Sequence, residues 1–115
     1  MWRRNLRNKF NNRKTIVDKI TFDSKKEAHR YQELKILQKA KKIKNLKLQQ
    51  EFILLDGFKD FQGKKHRPIK YLADFVYEEK NKIIVEDVKG RQTAVYKLKK
   101  KMFLAKYPQL CFVES

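Results

Sequence analysis

The chain has 115 residues, a length that fits one domain and leaves little room for a second. Thirty Lys and Arg stand against 13 Asp and Glu, a formal net charge of +17, and 41% of the residues are hydrophobic. This composition excludes a disordered chain, and the single cysteine excludes an internal disulfide and a multi-cysteine zinc site. Because no apolar run could form a membrane span or a signal peptide, we expect a soluble cytoplasmic protein. The large positive charge predicts a polyanionic partner, most simply nucleic acid.

The first predicted segment is a flexible basic arm over residues 1–14, which contains no acid. Such a segment can order on a phosphate backbone, so four of its arginines are candidate nucleic-acid contacts: Arg3, Arg4, Arg7 and Arg13. A plain disordered terminus and a short amphipathic helix remain alternatives. A lipid surface fits less well, because the basic residues spread over the whole chain rather than along one helix.

The first regular elements are a strand and a helix. β-Branched and aromatic residues predict one strand over 15–22. Ser24 followed by Glu27 is a capping box, so we expect a helix from there to about Lys41. Its buried side should include Ala28, Tyr31, Leu34, Leu37 and Ile43.

The second half of the chain should be mostly strand. We predict strands over 46–55, 68–78, 83–89 and 110–113, with a polar loop over 57–66. Thr93 should cap a helix over 94–106 that Pro108 stops. The apolar stripe of this helix should be Val95, Leu98, Met102 and Ala105. The order β-α-β-β-β-α-β predicts an α/β chain with one domain over 15–115.

Two acids in the predicted hairpin point to chemistry. A two-residue and a four-residue turn near residues 79–82 give the same register, which sets Asp74 opposite Asp87 at about 5 Å between Cβ atoms. Facing carboxylates in apolar strands destabilise a sheet, and a divalent cation would compensate for them. Lys89 should project from the same face and could activate a water or stabilise charge on a phosphate. The alternative is a salt-bridge ladder at a sheet edge.

The residues around these acids resemble the signature of the PD-(D/E)XK nuclease superfamily. Residues 71–75 carry the first acid and residues 85–90 carry the acid-x-Lys motif, although Ala73 stands where the signature has proline. The resemblance covers about residues 20–113 and implies a single mixed β-sheet flanked by helices, in a restriction-endonuclease-like core. It implies that the protein is a hydrolase acting on phosphodiester bonds. In that enzyme Asp74 and Asp87 would bind Mg²⁺ or Mn²⁺, and Lys89 would assist catalysis.

The chain also looks like a phage-encoded family of small basic proteins within that superfamily, with a core like that of Holliday-junction resolvases. This resemblance implies a homodimer that cuts branched DNA, in DNA recombination, within a bacterial or phage-infected cell. It makes Glu27 a candidate third catalytic and metal-binding acid and Gln49 a candidate supporting residue. Glu86 should project away from Asp87, beside Phe75, although a register shift of one residue would exchange the two acids.

Further basic residues are candidate contacts to the nucleic-acid backbone: Lys70, Lys97, Lys100 and Lys101. A solvated helix face is the alternative for the lysines of the last helix. The sequence therefore predicts a metal-dependent DNA endonuclease. Two other readings stay open, a non-catalytic protein that binds DNA or RNA and a structural component of a ribonucleoprotein particle.

Overall fold

The computed structural model describes residues 14–88 and 92–115. These residues form a mixed α+β structure with two helices and eight strands. The chain divides into two compact units, residues 1–42 and 43–115, so that one domain over 15–115 stays a prediction. Neither helix within the described residues is long and apolar enough to cross a bilayer.

The first unit contains a hairpin where the sequence predicted one strand. Strands β1 (Thr15–Val17) and β2 (Ile20–Phe22) pair antiparallel, so the prediction of a single strand over 15–22 is wrong. Asp18 and Lys19 form the turn with φ of 53° and 64°, the left-handed pair that a two-residue hairpin requires. Tyr31 donates a hydrogen bond to Asp18 at 2.9 Å, which fixes this turn against the following helix.

Helix α1 (Lys25–Lys39) begins where the capping box predicted it. Ser24 Oγ accepts a hydrogen bond from the Glu27 N–H at 3.1 Å. The helix ends two residues before the predicted Lys41, whose φ of 62° is incompatible with a further turn. Four of the five residues predicted to be buried are buried in the structure, namely Ala28, Tyr31, Leu34 and Ile43, although Ile43 lies beyond the end of the helix.

The second unit is built on a four-stranded mixed sheet. Its strands are β3 (Lys44–Leu55), β6 (Ile69–Glu79), β7 (Lys82–Asp87) and β8 (Cys111–Glu114), in the spatial order β3-β6-β7-β8. The β3–β6 and β6–β7 pairs are antiparallel, whereas β7 and β8 are parallel. The mixed sheet with helices agrees with the predicted fold class.

Residues 57–66 are more ordered than the predicted loop. Strands β4 (Phe58–Lys59) and β5 (Lys65–His66) form a second small hairpin between β3 and β6. The predicted polar loop therefore contains a short hairpin at 58–59 and 65–66. Its polar composition gave no strand signal, because these two strands contain only two residues each.

Helix α2 (Ala94–Lys106) joins the parallel strands β7 and β8, with Thr93 as its N-cap, as predicted. Its buried side differs from the predicted stripe. Val95, Leu98 and Ala105 are exposed, whereas Phe103 is fully buried and contacts Phe52 at 5.1 Å between ring centroids. The helix is rotated by about one residue because its aromatic side chains bury the largest area.

Replacement of Phe103 by alanine should lower the free energy of unfolding by about 3–5 kcal/mol, because it removes a fully buried ring from the core. Urea denaturation followed by circular dichroism measures this. The control is Leu104→Ala, the next residue on the same helix, whose side chain is exposed. That change should stay within about 0.5 kcal/mol. Equal effects of the two variants would contradict the orientation of α2.

Candidate active site

Three carboxylates lie across neighbouring strands at the end of β7. Phe75 pairs with Glu86, and the same register carried one residue further sets Asp74 opposite Asp87. On the other side of β7, Asp87 pairs with Glu114 of β8. Because directly paired residues project on the same face of a sheet, Asp74, Asp87 and Glu114 form a carboxylate row. Glu114 was absent from the sequence prediction, which ended the last strand at residue 113.

Each carboxylate of the row accepts a hydrogen bond from a donor beside it. The Tyr71 hydroxyl donates a hydrogen bond to Asp87 Oδ2 at 2.5 Å. The Val88 N–H donates to Asp74 Oδ2 at 2.8 Å, and the Tyr96 hydroxyl donates to Glu114 Oε2. Hydrogen bonds to ionised acceptors are about twice as strong as neutral ones, so these donors fix the orientation of the row.

Glu114 also pairs with a lysine. Lys100 Nζ lies 3.2 Å from Glu114 Oε2, and the same ammonium lies 5.8 Å from the centre of the Phe112 ring. Helix α2 thus delivers both Tyr96 and Lys100 to the end of β8. The arrangement partly neutralises Glu114, the outer member of the row.

The two tyrosines of the site are held protonated. Burial raises the pKa of Tyr71 far above its ordinary value of 10.0, and the hydrogen bond to Asp87 raises it further. Burial also raises the pKa of Tyr96, as do its hydrogen bond to Glu114 and the negative charges of Asp74 and Asp87. Both hydroxyls therefore remain donors at neutral pH, and all three carboxylates act on Tyr96.

Glu86 is directed away from the carboxylate row. It is fully buried and accepts hydrogen bonds from the Tyr77 hydroxyl and from Ser115 Oγ, both at 2.7 Å. Its pairing with Phe75 confirms the predicted register, in which Asp87 rather than Glu86 faces Asp74. A buried carboxylate satisfied by two hydroxyl donors has a structural role in the sheet.

The backbone is irregular beside Asp74. The β3–β6 pairs on either side place Gln49 opposite Asp74, and Gln49 has a φ of 53°, a left-handed conformation that non-glycine residues seldom adopt. Ala73 and Val76 belong to one apolar cluster, although on a regular strand they would lie on opposite faces. The alternation is therefore broken between them, around Asp74. Irregularities of this kind often re-aim a side chain beside a functional site.

The other predicted site residues fall into three groups. Glu27 is buried in the first turn of α1, in the first unit, and its predicted role at the metal stays a prediction. Lys89 and four arginines lie outside the described residues, namely Arg3, Arg4, Arg7 and Arg13. Lys97 and Lys101 are exposed on α2, whereas Lys70 lies 3.5 Å from Glu51 in an ion pair.

Comparison with known proteins identifies the family. The chain belongs to the family described as "Protein of unknown function (DUF1064)", whose model matches residues 7–114. No curated protein and no solved structure matches the chain. Its function has to be argued from the chemistry of the site.

Alkaline titration should show tyrosines that ionise late. In the unfolded chain the five tyrosines should lose their protons near pH 10, whereas Tyr71 and Tyr96 of the folded protein should retain theirs. Because the folded state binds these protons more tightly, its stability is complete below pH 10 and falls as the pH rises above it. Tyrosinate absorbance measures the titration, and denaturation at several pH values measures the stability.

Tyr71→Phe and Tyr96→Phe should each remove part of the late component of that titration. Ionisation of all five tyrosines in one step near pH 10, while circular dichroism still shows the native fold, would contradict the hydrogen bonds of these two hydroxyls to carboxylates.

Proposed function

We propose that this chain is a metal-dependent DNA endonuclease that hydrolyses phosphodiester bonds. The juxtaposition of Asp74 and Asp87 at the end of the central sheet carries the proposal. Asp87 is only 7% exposed, and two neighbouring carboxylates in such a position cost free energy that a bound cation would offset. The net charge of +17 supports a polyanionic substrate.

The donor set fits a hard divalent cation. In residues 14–88 and 92–115, no three His, Cys, Asp or Glu side chains form a group that could hold a metal. Mg²⁺ nevertheless retains several waters and is commonly bound through one or two carboxylates together with phosphate oxygens of the substrate. Asp74 and Asp87 supply those carboxylates, and Mn²⁺ accepts the same oxygen ligands.

The protein's own groups hold the site in position. The Tyr71 hydroxyl fixes one oxygen of Asp87, and the Val88 N–H fixes one oxygen of Asp74, so both carboxylates are held in a defined orientation. A bound Mg²⁺ or Mn²⁺ would supply an activated water and charge stabilisation for the phosphate. Lys89, two residues after Asp87 in the sequence, would assist the attacking water.

Helix α2 supports contact with a nucleic-acid backbone next to the site. Tyr96 and Lys100 reach the carboxylate row, and the residues that follow each of them, Lys97 and Lys101, are exposed. Exposed lysines at this position would hold phosphates beside the acids without reading base sequence. The arginines predicted in the basic arm, residues 1–14, would bind the same kind of backbone independently.

The finer parts of the proposal concern the substrate and the assembly. The resemblance to Holliday-junction resolvases favours branched DNA, where two strands have to be cut. One chain carries one carboxylate row, so we propose a homodimer that presents two sites.

A non-catalytic nucleic-acid-binding protein is the second candidate. It is favoured by the absence, within the described part of the chain, of a group of three side chains that could hold a metal ion. In a pure binder, however, an acidic row beside exposed lysines would repel the phosphates that those lysines attract.

Asp87→Asn should abolish cleavage of DNA in the presence of Mg²⁺ or Mn²⁺. The loss should exceed the roughly 10- to 100-fold that changes outside the metal ligands cost, because a direct ligand is removed. The assay uses labelled linear duplex, single-stranded and four-way-junction DNA, with EDTA as the metal-free control. Glu86→Gln is the matched variant, since Glu86 is the adjacent acid on the other face and should retain cleavage.

Binding without cleavage under every metal condition, with Asp87→Asn equal to wild type, would reject the endonuclease and leave the binding protein. Circular dichroism and thermal denaturation of both variants exclude a loss caused by unfolding.

Tyr71→Phe should reduce the cleavage rate by roughly 10- to 100-fold, because Asp87 loses the hydroxyl that orients it. The matched control is Tyr77→Phe, which removes the hydroxyl donor of Glu86 instead and should leave the rate near that of wild type. Raising the Mg²⁺ concentration should restore part of the Tyr71→Phe rate if orientation of a metal ligand is the cause. Equal losses in both variants would contradict a positioning role for Tyr71.

A further inference from the structure

The small hairpin of β4 and β5 has a tip that is fixed by its own hydrogen bonds. One carboxylate oxygen of Asp60, Oδ1, accepts hydrogen bonds from the Gln62 N–H at 2.9 Å and the Lys64 N–H at 3.0 Å. His66 Nε2 lies 2.9 Å from the other oxygen of Asp60. The hydrogen bond from His66 lowers the pKa of Asp60, so this carboxylate stays ionised and keeps its donors at neutral pH.

The same tip presents an aromatic side chain to solvent. Phe61 is fully exposed, at 105% of its reference area, between Asp60 and the turn at Gly63. At the base of the tip, the Phe58 ring stacks on His66 with ring centroids 4.7 Å apart. The loop therefore holds an exposed ring on a rigid support.

A basic frame surrounds this ring. Lys59, Lys64 and Lys65 are exposed on the hairpin, and Arg67 follows it. Asp60 is the one acid in residues 58–67, and its charge is used within the turn. A cationic frame around an exposed aromatic ring is complementary to nucleic acid, in which phosphates alternate with bases that can stack.

Single exposed apolar residues are ordinary on protein surfaces, and one such residue alone would carry no inference. Phe61 differs because an internally bonded turn holds it in place and cations flank it on both strands. Fully paired duplex hides its base faces, whereas unpaired bases offer them for stacking on aromatic side chains. The features of the tip therefore favour DNA with unpaired bases.

The hairpin lies at the end of the sheet where β3 ends and β6 begins. Asp74 follows Ile69 by five residues along β6, which corresponds to about 17 Å. β7 runs antiparallel to β6 and ends opposite Asp74, so the carboxylate row lies toward the same end of the sheet.

We propose that this hairpin is a DNA-contacting element, in which Phe61 stacks on an unpaired base while Lys59, Lys64 and Lys65 hold adjacent phosphates. The inference rests on the proposed function, because it assigns branched or gapped DNA as the substrate class of the same site. It gives the protein a means of recognising where pairing ends, beside the phosphate at the carboxylate row.

The test measures Kd in EDTA, where no cleavage occurs, for duplexes with and without a short run of unpaired bases. Phe61→Ala should weaken binding to the unpaired substrate by roughly 5- to 150-fold and leave perfect duplex nearly unchanged. Phe61→Trp should restore the affinity, since it keeps an aromatic face. The matched control is Ile36→Ala, which removes an exposed apolar side chain from α1 and should change neither Kd.

The salt dependence of Kd separates stacking from charge. Phe61→Ala should leave the slope of log K against log salt unchanged, whereas Lys64→Ala should reduce it by about 0.7–0.9 and weaken both substrates alike. Thermal denaturation checks that the variants are folded.

Wild-type affinity in Phe61→Ala, equal losses on both substrates, or failure of wild type to bind DNA would each overturn the inference. A change in sedimentation of Phe61→Ala with unchanged Kd would do the same and would assign the tip to self-association. If the inference fails while metal-dependent cleavage is intact, the endonuclease proposal stands. If Phe61→Ala has the expected effect and cleavage is absent, the hairpin contacts DNA and the endonuclease proposal is rejected.

Discussion

Asp87 is taken out of water between two acidic neighbours, Asp74 on β6 and Glu114 on β8, and the structure of the second unit depends on how this charge is compensated. Buried carboxylates cost several kcal/mol unless donors satisfy them. The hydroxyl of Tyr71 supplies such a donor, and the ring of the same residue packs on Phe103 in the core at 5.5 Å between centroids. One side chain therefore links core packing to the orientation of the site.

Helix α2 likewise contributes both to the packing of the core and to the orientation of the site. Phe103 anchors it to the sheet, and the fixed rotation of the helix then determines that Tyr96 and Lys100 reach Glu114. Side chains on rigid, well-packed elements hold a site more accurately than side chains on loops. A change that loosens Phe103 should for that reason also disturb the carboxylate row, so stability and function are coupled here rather than separable.

Local signals gave part of the fold and of the candidate site in advance. Thr93 and Pro108 predicted the bounds of α2, and the register of the β6–β7 hairpin followed from the turn because paired residue numbers keep a constant sum. Nothing local marks Asp18 and Lys19 as a hairpin turn, since neither is glycine or asparagine.

Glu114 was out of reach for a different reason. It enters the carboxylate row through a parallel pairing with β7, whose register is set by the crossover of α2 and not by any adjacent turn. The face that α2 buries was also missed, because the apolar periodicity of 95–105 competes with larger rings one residue away.

The distribution of charge gives the strongest reason to expect a cation at the carboxylate row. Several acids of the second unit form ion pairs with lysines, including Glu51 with Lys70 and Glu78 with Lys44. Because lysines and arginines far outnumber the acids, a large positive charge is left over after this pairing. Under the proposed function, a phosphate drawn in by that excess would meet Asp74 and Asp87, two carboxylates of its own sign in a partly desolvated position. A phosphodiester can approach these acids closely only when positive charge lies between them. Under the proposed function, this requirement would tie substrate binding to a divalent ion, and it would distinguish an endonuclease from a protein that only binds the backbone.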